Sequence, residues 1–160
     1  MKTGVLIVNL GTPDSPKTSD VRKYLSEFLN DPRVIDIHPI ARMLLVNLII
    51  VPFRSSKSAK LYKEIWREDG KSPLLHYSER QLELFSKLMG DKYDVQMAMR
   101  YQSPSLDIAL DHYKKQFYKK IIVFPLFPQY ASASTGSVQE KVMNVVSKWE
   151  IVPEIEFINS

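Results

Sequence analysis

Four apolar runs punctuate the chain: GVLIVNL (Gly4 to Leu10), DVQMAMRY (Asp94 to Tyr101), KIIVFPLF (Lys120 to Phe127) and EIEFIN (Glu154 to Asn159). Each is near-continuous rather than alternating, the pattern of a strand covered on both faces. Between them the apolar spacing changes to the helical period. Val21, Leu25, Phe28 and Leu29 form one face; Leu74, Leu82, Phe85 and Leu88 a second; Leu106, Leu110 and Tyr113 a third; Val138, Val142, Val145 and Val146 a fourth. This alternation predicts right-handed βαβ units and an α/β fold, a parallel four-stranded sheet flanked by helices on both faces. Ser72-Pro73 and Ser103-Pro104 predict two helix starts, with serine as N-cap and proline at the first helical position, where its missing N–H costs nothing. SERQ, Ser78 to Gln81, also fits a capping box, which would start that helix later. No repeat, low-complexity segment or linker interrupts the pattern.

One segment departs from it. MLLVNLIIVPF, Met43 to Phe53, is uncharged throughout, but it is about half the roughly 20 residues a helix needs to span a bilayer. After it Arg54, Lys57, Lys60, Lys63, Arg67 and Lys71 recur at helical spacing opposite Leu61 and Ile65. A buried helix followed by a solvated one fits this pattern, and so does an apolar segment beside a basic helix at an anionic membrane surface. The first apolar run, in MKTGVLIVNLGTPDSP, is too short and too soon followed by turn residues to be a signal peptide, so a cytoplasmic location is expected.

Composition narrows the chemistry. The 160 residues, 44% apolar and 25% charged, suit one globular domain. The absence of cysteine excludes disulfides, thiolate metal sites and a cysteine nucleophile within this chain. The net charge of +4 is spread among interleaved acids rather than gathered in a patch, so no nucleic-acid partner is expected. Gly70-Lys71-Ser72 resembles the end of a phosphate-binding loop, but Ile65 stands where that loop needs its first glycine. The dinucleotide fingerprint is also missing after the first strand. His38, His76 and His112 are far apart and lack metal-ligand spacing, and no nucleophile elbow is present. His76, in the turn beside Ser72, is the strongest histidine candidate.

In an open parallel sheet, ligands bind beyond the carboxyl ends of the strands. NLGTPDSP, RYQSP and FPQYASASTGS fall there. In the last, Pro125 and Pro128 stiffen the strand exit and Tyr130 offers an aromatic face. Ser132, Ser134, Thr135 and Ser137 place hydroxyls at a helix N-terminus, suited to a carboxylate or phosphate. A plain N-cap and loop explains the same residues, and a flavin or nucleotide phosphate is another possible occupant.

VLIVNLGTPDSP, YLSEFLNDPRVID, GKSPL, MRYQSPS and PLFPQYASASTGS occur in an order and spacing that resemble the N-terminal half of ferrochelatase, across essentially the whole chain. That family inserts ferrous iron into a porphyrin in haem synthesis, making it a lyase. The resemblance implies two similar α/β domains with a porphyrin cleft between them, only the first being present here. It implies porphyrin and ferrous iron as substrates and no cofactor in this half. The catalytic histidine and glutamate would lie beyond Ser160, leaving the fragment inactive alone. The porphyrin-binding residues carried over are Arg33 and Ser72 toward propionates, Arg100 and Tyr101 at a strand end, and Tyr130 with Ser132 and Ser134 in the loop that follows the third strand. Met43 to Phe53 resembles the family's lip over the cleft, which implies peripheral membrane contact. This chain departs from the usual pattern at Lys71, where glycine is common, at Ala131 and Ala133, where serines are expected, and at Ile65, where some relatives carry tyrosine. A cobalt or nickel chelatase acting on another tetrapyrrole is the nearest related activity.

Overall fold

Val5, Leu6, Ile7 and Val8 are each 2% exposed or less, the burial that a continuous apolar run implies for a strand covered on both faces. They lie in β1 (Thr3–Gly11) of a computed structural model that describes residues 3–158. β2 (Tyr93–Tyr101), β3 (Lys120–Pro125) and β4 (Glu154–Phe157) complete a four-stranded parallel sheet in the order β2-β1-β3-β4. Gly4 pairs with Ile121 and Val8 with Pro125; beyond them Lys120 pairs with Glu154 and Val123 with Phe157. The predicted α/β sheet is present with all four strands in place. Asn159, the predicted end of the last strand, lies outside the described residues.

Among the described residues six α-helices accompany the sheet: α1 (Thr18–Leu29), α2 (Pro39–Leu44), α3 (Val51–Ile65), α4 (Pro73–Met89), α5 (Leu106–Lys115) and α6 (Ser137–Val146). The chain divides into two compact units. The first holds the start of the chain to Leu10, Tyr77–Arg100, and the chain from Pro104 onward; the second is Gly11–His76 with Tyr101–Ser103.

In the first unit the core lies between the sheet and the pair α5 and α6. Leu6, Val8, Ala98, Ile121 and Val123 meet Leu106, Leu110, Tyr113, Val138, Val142 and Val146 there. Burying a side chain of this size stabilises the fold by roughly 1.5–3 kcal/mol. Tyr113 is buried whole because its hydroxyl donates to the Val5 carbonyl at 2.8 Å, so its polar end is satisfied. On the other face Ile7 and Phe124 lie beside Leu84, Phe85 and Leu88 of α4 around a groove of about 320 Å³. α4 starts at Pro73 as predicted, so the capping-box alternative is not used. Ser78 instead lies within the helix, fully buried, and accepts from Asn9 Nδ2 at 2.9 Å. α5 starts later than Ser103-Pro104 predicts: Ser105 is its N-cap, accepting from the Ile108 N–H. The Met99 N–H donates to the Pro104 carbonyl at 2.7 Å, part of a parallel bridge that pairs Met99 of β2 with Ser105.

The second unit is helical. Tyr24 on α1 is stacked with Phe28, ring centroids 6.0 Å apart, and meets Tyr62 of α3 edge-on at 6.4 Å. α2 and α3 form one continuous run, Pro39–Ile65, joined through a wide helical turn at Leu45–Ile50. In that turn the Val51 N–H donates to the Val46 carbonyl, five residues back. Pro52 follows at once; it has no N–H and its ring crowds the preceding turn, and a widened turn removes that clash. The buried face of α3 is Val51, Ser55 and Ala59, whereas Leu61 and Ile65, the apolar face expected from sequence, are 59% and 55% exposed. Small side chains let α3 approach α1 closely, and Leu61 and Ile65 fall outside that seam. Arg67 and Lys71 lie beyond the end of α3, so the basic stripe on it is Arg54, Lys57, Lys60 and Lys63.

The buried-helix reading of Met43 to Phe53 is not realised: Met43, Leu44, Leu48, Ile49 and Phe53 are about half to four-fifths exposed, while Val46 and Val51 are buried. By length and composition the 27-residue run Pro39–Ile65 could cross a membrane, with a mean hydropathy of 1.2 over its most apolar window. The uncharged segment alone is shorter than the helix that carries it.

Candidate functional site

In the second unit the organising residue is Asp31. It is 6% exposed, receives the Tyr101 hydroxyl on Oδ2 at 2.8 Å and the Arg33 N–H on Oδ1 at 2.8 Å. The latter bond, two residues along the chain, is the Asx turn that an Asp-Pro-X sequence favours. It fixes the backbone that carries Arg33, itself half-buried. Tyr101 is 1% exposed and packs edge-on against Phe28 at 5.2 Å, so its ring is enclosed rather than presented to solvent. The end of β1 depends on that strand end too: Gly11 has φ +118, and a Cβ there would lie 2.2 Å from the Tyr101 carbonyl oxygen. Gln102 follows with φ 64, in the left-handed region that side chains avoid, its N–H bonded to Glu27 Oε2 at 3.1 Å.

Ser72 is 2% exposed and acts as the N-cap of α4: its Oγ accepts from the Leu75 N–H at 3.1 Å and its carbonyl from the His76 N–H at 3.0 Å. His76, the strongest histidine candidate from sequence, braces the same turn, with Nδ1 2.9 Å from Asp69 Oδ2. Loss of hydration opposes ionisation of Asp69, but hydrogen bonds from the Lys71 N–H, Arg67 and His76 outweigh it and hold the carboxyl below its ordinary range. Thr12, 4% exposed, has a hydroxyl without a hydrogen-bond partner.

In the first unit the loop after β3 carries the other candidates. The Leu126 N–H donates to the Val8 carbonyl at 2.8 Å, tying the strand exit to β1. Beyond it Tyr130 is 54% exposed and Ser132 is exposed. Ser132–Gly136 is a wide helical turn that runs directly into α6, and both the Ser134 and Gly136 N–H groups are spent on the Ala131 carbonyl. The hydroxyl cluster is therefore inside the first turns of the helix, not ahead of free N–H groups as expected. Ser134 Oγ lies 3.4 Å from the Ala131 carbonyl that it donates to. Thr135 is 1% exposed with an unpartnered hydroxyl. Arg100 points at the start of α6, its Nε donating to Ser137 Oγ at 2.6 Å and to the Ser137 carbonyl at 3.1 Å.

The structure thus groups Arg33 and Tyr101 around Asp31, seats Ser72 in a helix cap, and places Arg100, Tyr130, Ser132 and Ser134 along β2 and the β3–α6 connection. Asp31 and Thr12 were not singled out as binding residues from sequence. The acid two positions before Arg33 in NDPR was the available signal for the first. Among the described residues no cluster of three or more His, Asp or Glu side chains could hold a metal ion.

Comparison with known proteins gives this arrangement a context. The ferrochelatase family model matches residues 2–160. A ferrochelatase of Coxiella burnetii is 48% identical over 141 residues, covering 88% of this chain and 40% of the relative. Ferrochelatase 2 of Shewanella oneidensis is 45% identical over 162 residues, 99% of this chain and 49% of the relative. A Legionella pneumophila ferrochelatase is 44% identical over 158 residues, 99% and 47% respectively. The chain spans about half the length of the curated relatives it matches. With a match along its whole described length, the chain belongs to the ferrochelatase family.

Proposed function

We propose that this chain supplies the porphyrin-holding half of an enzyme that inserts ferrous iron into a porphyrin for haem synthesis. The observation that carries this reading, beside family membership, is the β3–α6 connection: an exposed Tyr130 ring precedes a wide helical turn in which the Thr135 hydroxyl is buried and unpartnered. An orphaned buried hydroxyl is costly without a partner, and a ligand oxygen or ordered water would relieve that cost.

Metalation requires a flat macrocycle to be held and distorted, its inner N–H protons accepted, and the ion delivered from one face. In the second unit, Arg33 is the proposed partner of a propionate, since a guanidinium bonds a carboxylate through two parallel N–H groups. Its backbone is set by the Asp31 turn. Ser72 is the second propionate contact; its Oγ already accepts from the Leu75 N–H, which leaves its O–H to donate. Tyr101 acts as a positioning residue through Asp31 rather than as a contact surface. In the first unit Tyr130 stacks on the ring, Ser132 and Ser134 offer hydroxyls, and Arg100 sets the start of α6 through Ser137. The proton acceptors and the groups that present iron are proposed to belong to a second α/β domain outside this sequence, so this chain by itself is expected to hold porphyrin weakly and not turn over.

We also propose peripheral contact with an anionic membrane, the source of a poorly soluble substrate. Leu48 and Phe53, 65% and 80% exposed, project from the helix that continues into the basic stripe.

The test is porphyrin binding followed by the Soret band. A saturable shift that weakens about tenfold in Arg33→Ala, roughly the worth of one charged hydrogen-bonded pair, supports the reading. No shift with the intact chain, or a yellow preparation carrying flavin that porphyrin does not displace, would sink it.

A further inference from the structure

At the amino ends of β3 and β4, the opposite end of the sheet from the β3–α6 connection, the first unit holds a cavity of about 560 Å³. Its wall comes from Tyr113 and Lys114 at the end of α5, Phe117 to Lys119 in the next turn, and Trp149 to Pro153 before β4. That volume is within the range of small-molecule sites, and nothing in the proposed porphyrin reading uses it.

The turn that builds it breaks a local rule. α5 ends in a Schellman motif: the Tyr118 N–H reaches back to the Tyr113 carbonyl at 3.3 Å and the Phe117 N–H to the Lys114 carbonyl at 3.1 Å. The residue in the middle must be left-handed, and this position is normally glycine. Where α4 ends, the chain does use glycine, Gly90 at φ 65. At the end of α5 it puts Phe117 at φ 53, and the ring is 74% exposed, so burial does not offset the strain. A bulky residue kept in a strained conformation without a packing return is a mark of function.

The rest of the wall is prepared for a particular chemistry. Both tyrosine hydroxyls are already committed, that of the fully buried Tyr113 to the Val5 carbonyl and that of Tyr118 to Asp94 Oδ2 at 2.9 Å, so neither offers the cavity an uncommitted O–H donor. Asp94 is fixed in turn by His112 Nε2 at 2.6 Å. The Tyr113 and Tyr118 rings meet edge-on at 5.4 Å. Lys114 and Lys119 are exposed; Lys114 lends part of its charge to Asp111, whose closer ion-pair partner is Lys115, and Glu150 is the single acid in the wall. An aromatic wall with two exposed lysines favours flat, apolar, negatively charged molecules.

We propose that this cavity is a binding site for a planar aromatic anion, with Phe117 and Trp149 closing on the ring and Lys114 and Lys119 meeting the charge.

The test is calorimetric titration of the intact chain with 2-naphthoate, alongside its neutral analogue 2-naphthalenemethanol and inorganic phosphate. The two tryptophan indole N–H resonances are followed by NMR in the same samples. One-site binding of naphthoate should shift the Trp149 resonance and leave Trp66 in place. Phosphate alone should not bind. Lys114→Ala with Lys119→Ala should weaken naphthoate about tenfold, the worth of a modest charge contact, and leave the neutral analogue unchanged. Phe117→Gly should weaken both aromatic probes while raising the thermal midpoint, because glycine tolerates the left-handed turn; this also guards against reading misfolding as lost binding. Non-saturable heat, equal affinity in the Phe117→Gly chain, or a shift at Trp66 alone would overturn the proposal.

Discussion

Replacing Tyr101 by phenylalanine separates two ways in which that residue can matter. The substitution removes one hydroxyl from a side chain that is 1% exposed and leaves the edge-on contact with Phe28 at 5.2 Å. No cavity of consequence opens, so the cost is the hydrogen bond to Asp31 Oδ2 at 2.8 Å. A bond to a charged group is worth about 1.5–3 kcal/mol, and Asp31, 6% exposed, has little water to replace it. A loss of about 2 kcal/mol is expected, or roughly 4–8 °C in thermal midpoint for a chain of this size. Urea unfolding of wild type, Tyr101→Phe, Asp31→Asn and the double variant completes a cycle, whose coupling should be about 1–2 kcal/mol. Porphyrin binding should fall only as far as Arg33 loses its fixed backbone. If stability is unchanged, the coupling is below about 0.5 kcal/mol and porphyrin binding alone collapses, then Tyr101 touches the ligand directly and the positioning role is wrong.

Four further outcomes are expected. Gly11→Ala would place a Cβ 2.2 Å from the Tyr101 carbonyl oxygen at φ +118 and should leave little soluble folded protein, read as loss of the cooperative unfolding transition. Thr135→Val exchanges an unpartnered buried hydroxyl for a methyl group and should stabilise the free chain by about 1 kcal/mol while weakening porphyrin binding; destabilisation would show that the hydroxyl has an internal partner. Burial opposes ionisation of Asp94, but hydrogen bonds from His112, Gln96 and Tyr118 outweigh it and hold the carboxyl below its ordinary 3.8. Its contribution is therefore complete above that value and lost as pH falls through the lowered one, so acid unfolding should be less steep in Asp94→Asn; the Tyr118 hydroxyl, pushed up to about 12 by burial and by Asp94, gives the opposite limb, with stability lost as pH rises from 10 through 12. Leu48→Asp with Phe53→Asp should abolish cosedimentation with vesicles rich in anionic lipid without lowering the unfolding midpoint, since both side chains are exposed.

The sheet was legible because its signal is redundant. A strand covered on both faces needs an unbroken apolar run, and the helices between strands need period 3.6, so each supports the other's assignment. Where one residue decided the outcome, the reading was less secure. Ser103-Pro104 looks like a helix start, but Pro104 accepts the Met99 N–H and Ser105 takes the cap. The run from Ser132 to Ser137 looks like a loop leading to a helix, yet the chain is already helical there, which withdraws the N–H groups that an anion would have used. Met43 to Phe53 looks like core by composition, but α3 turns Ser55 and Ala59 inward. The choice of seam depends on closeness of approach to α1, which hydropathy does not encode. Asp31 was hidden for a related reason: its partner Tyr101 is 70 positions away.

Two positions in the first unit that resist a stability explanation are ones at which a ligand is proposed. Most of the polar groups in this fold are accounted for locally: Ser72 caps α4, Ser78 takes the Asn9 amide, and Arg100 is spent on Ser137. Against that background Thr135 is an exception in the first unit, a hydroxyl enclosed without a partner just where the sheet's carboxyl end meets α6. Phe117 is a second exception at the other end of the same sheet, a bulky side chain where Gly90 shows that the chain can supply glycine. The two differ in kind. An unmet hydrogen bond asks for a polar atom, as a porphyrin substituent or its hydration could provide, whereas an exposed ring held in strain asks for an apolar surface. A single ligand cannot relieve both, since they lie at opposite ends of the strands. Relieving each by mutation should therefore raise stability independently, with Thr135→Val and Phe117→Gly additive in the unfolding midpoint and each weakening a different binding event.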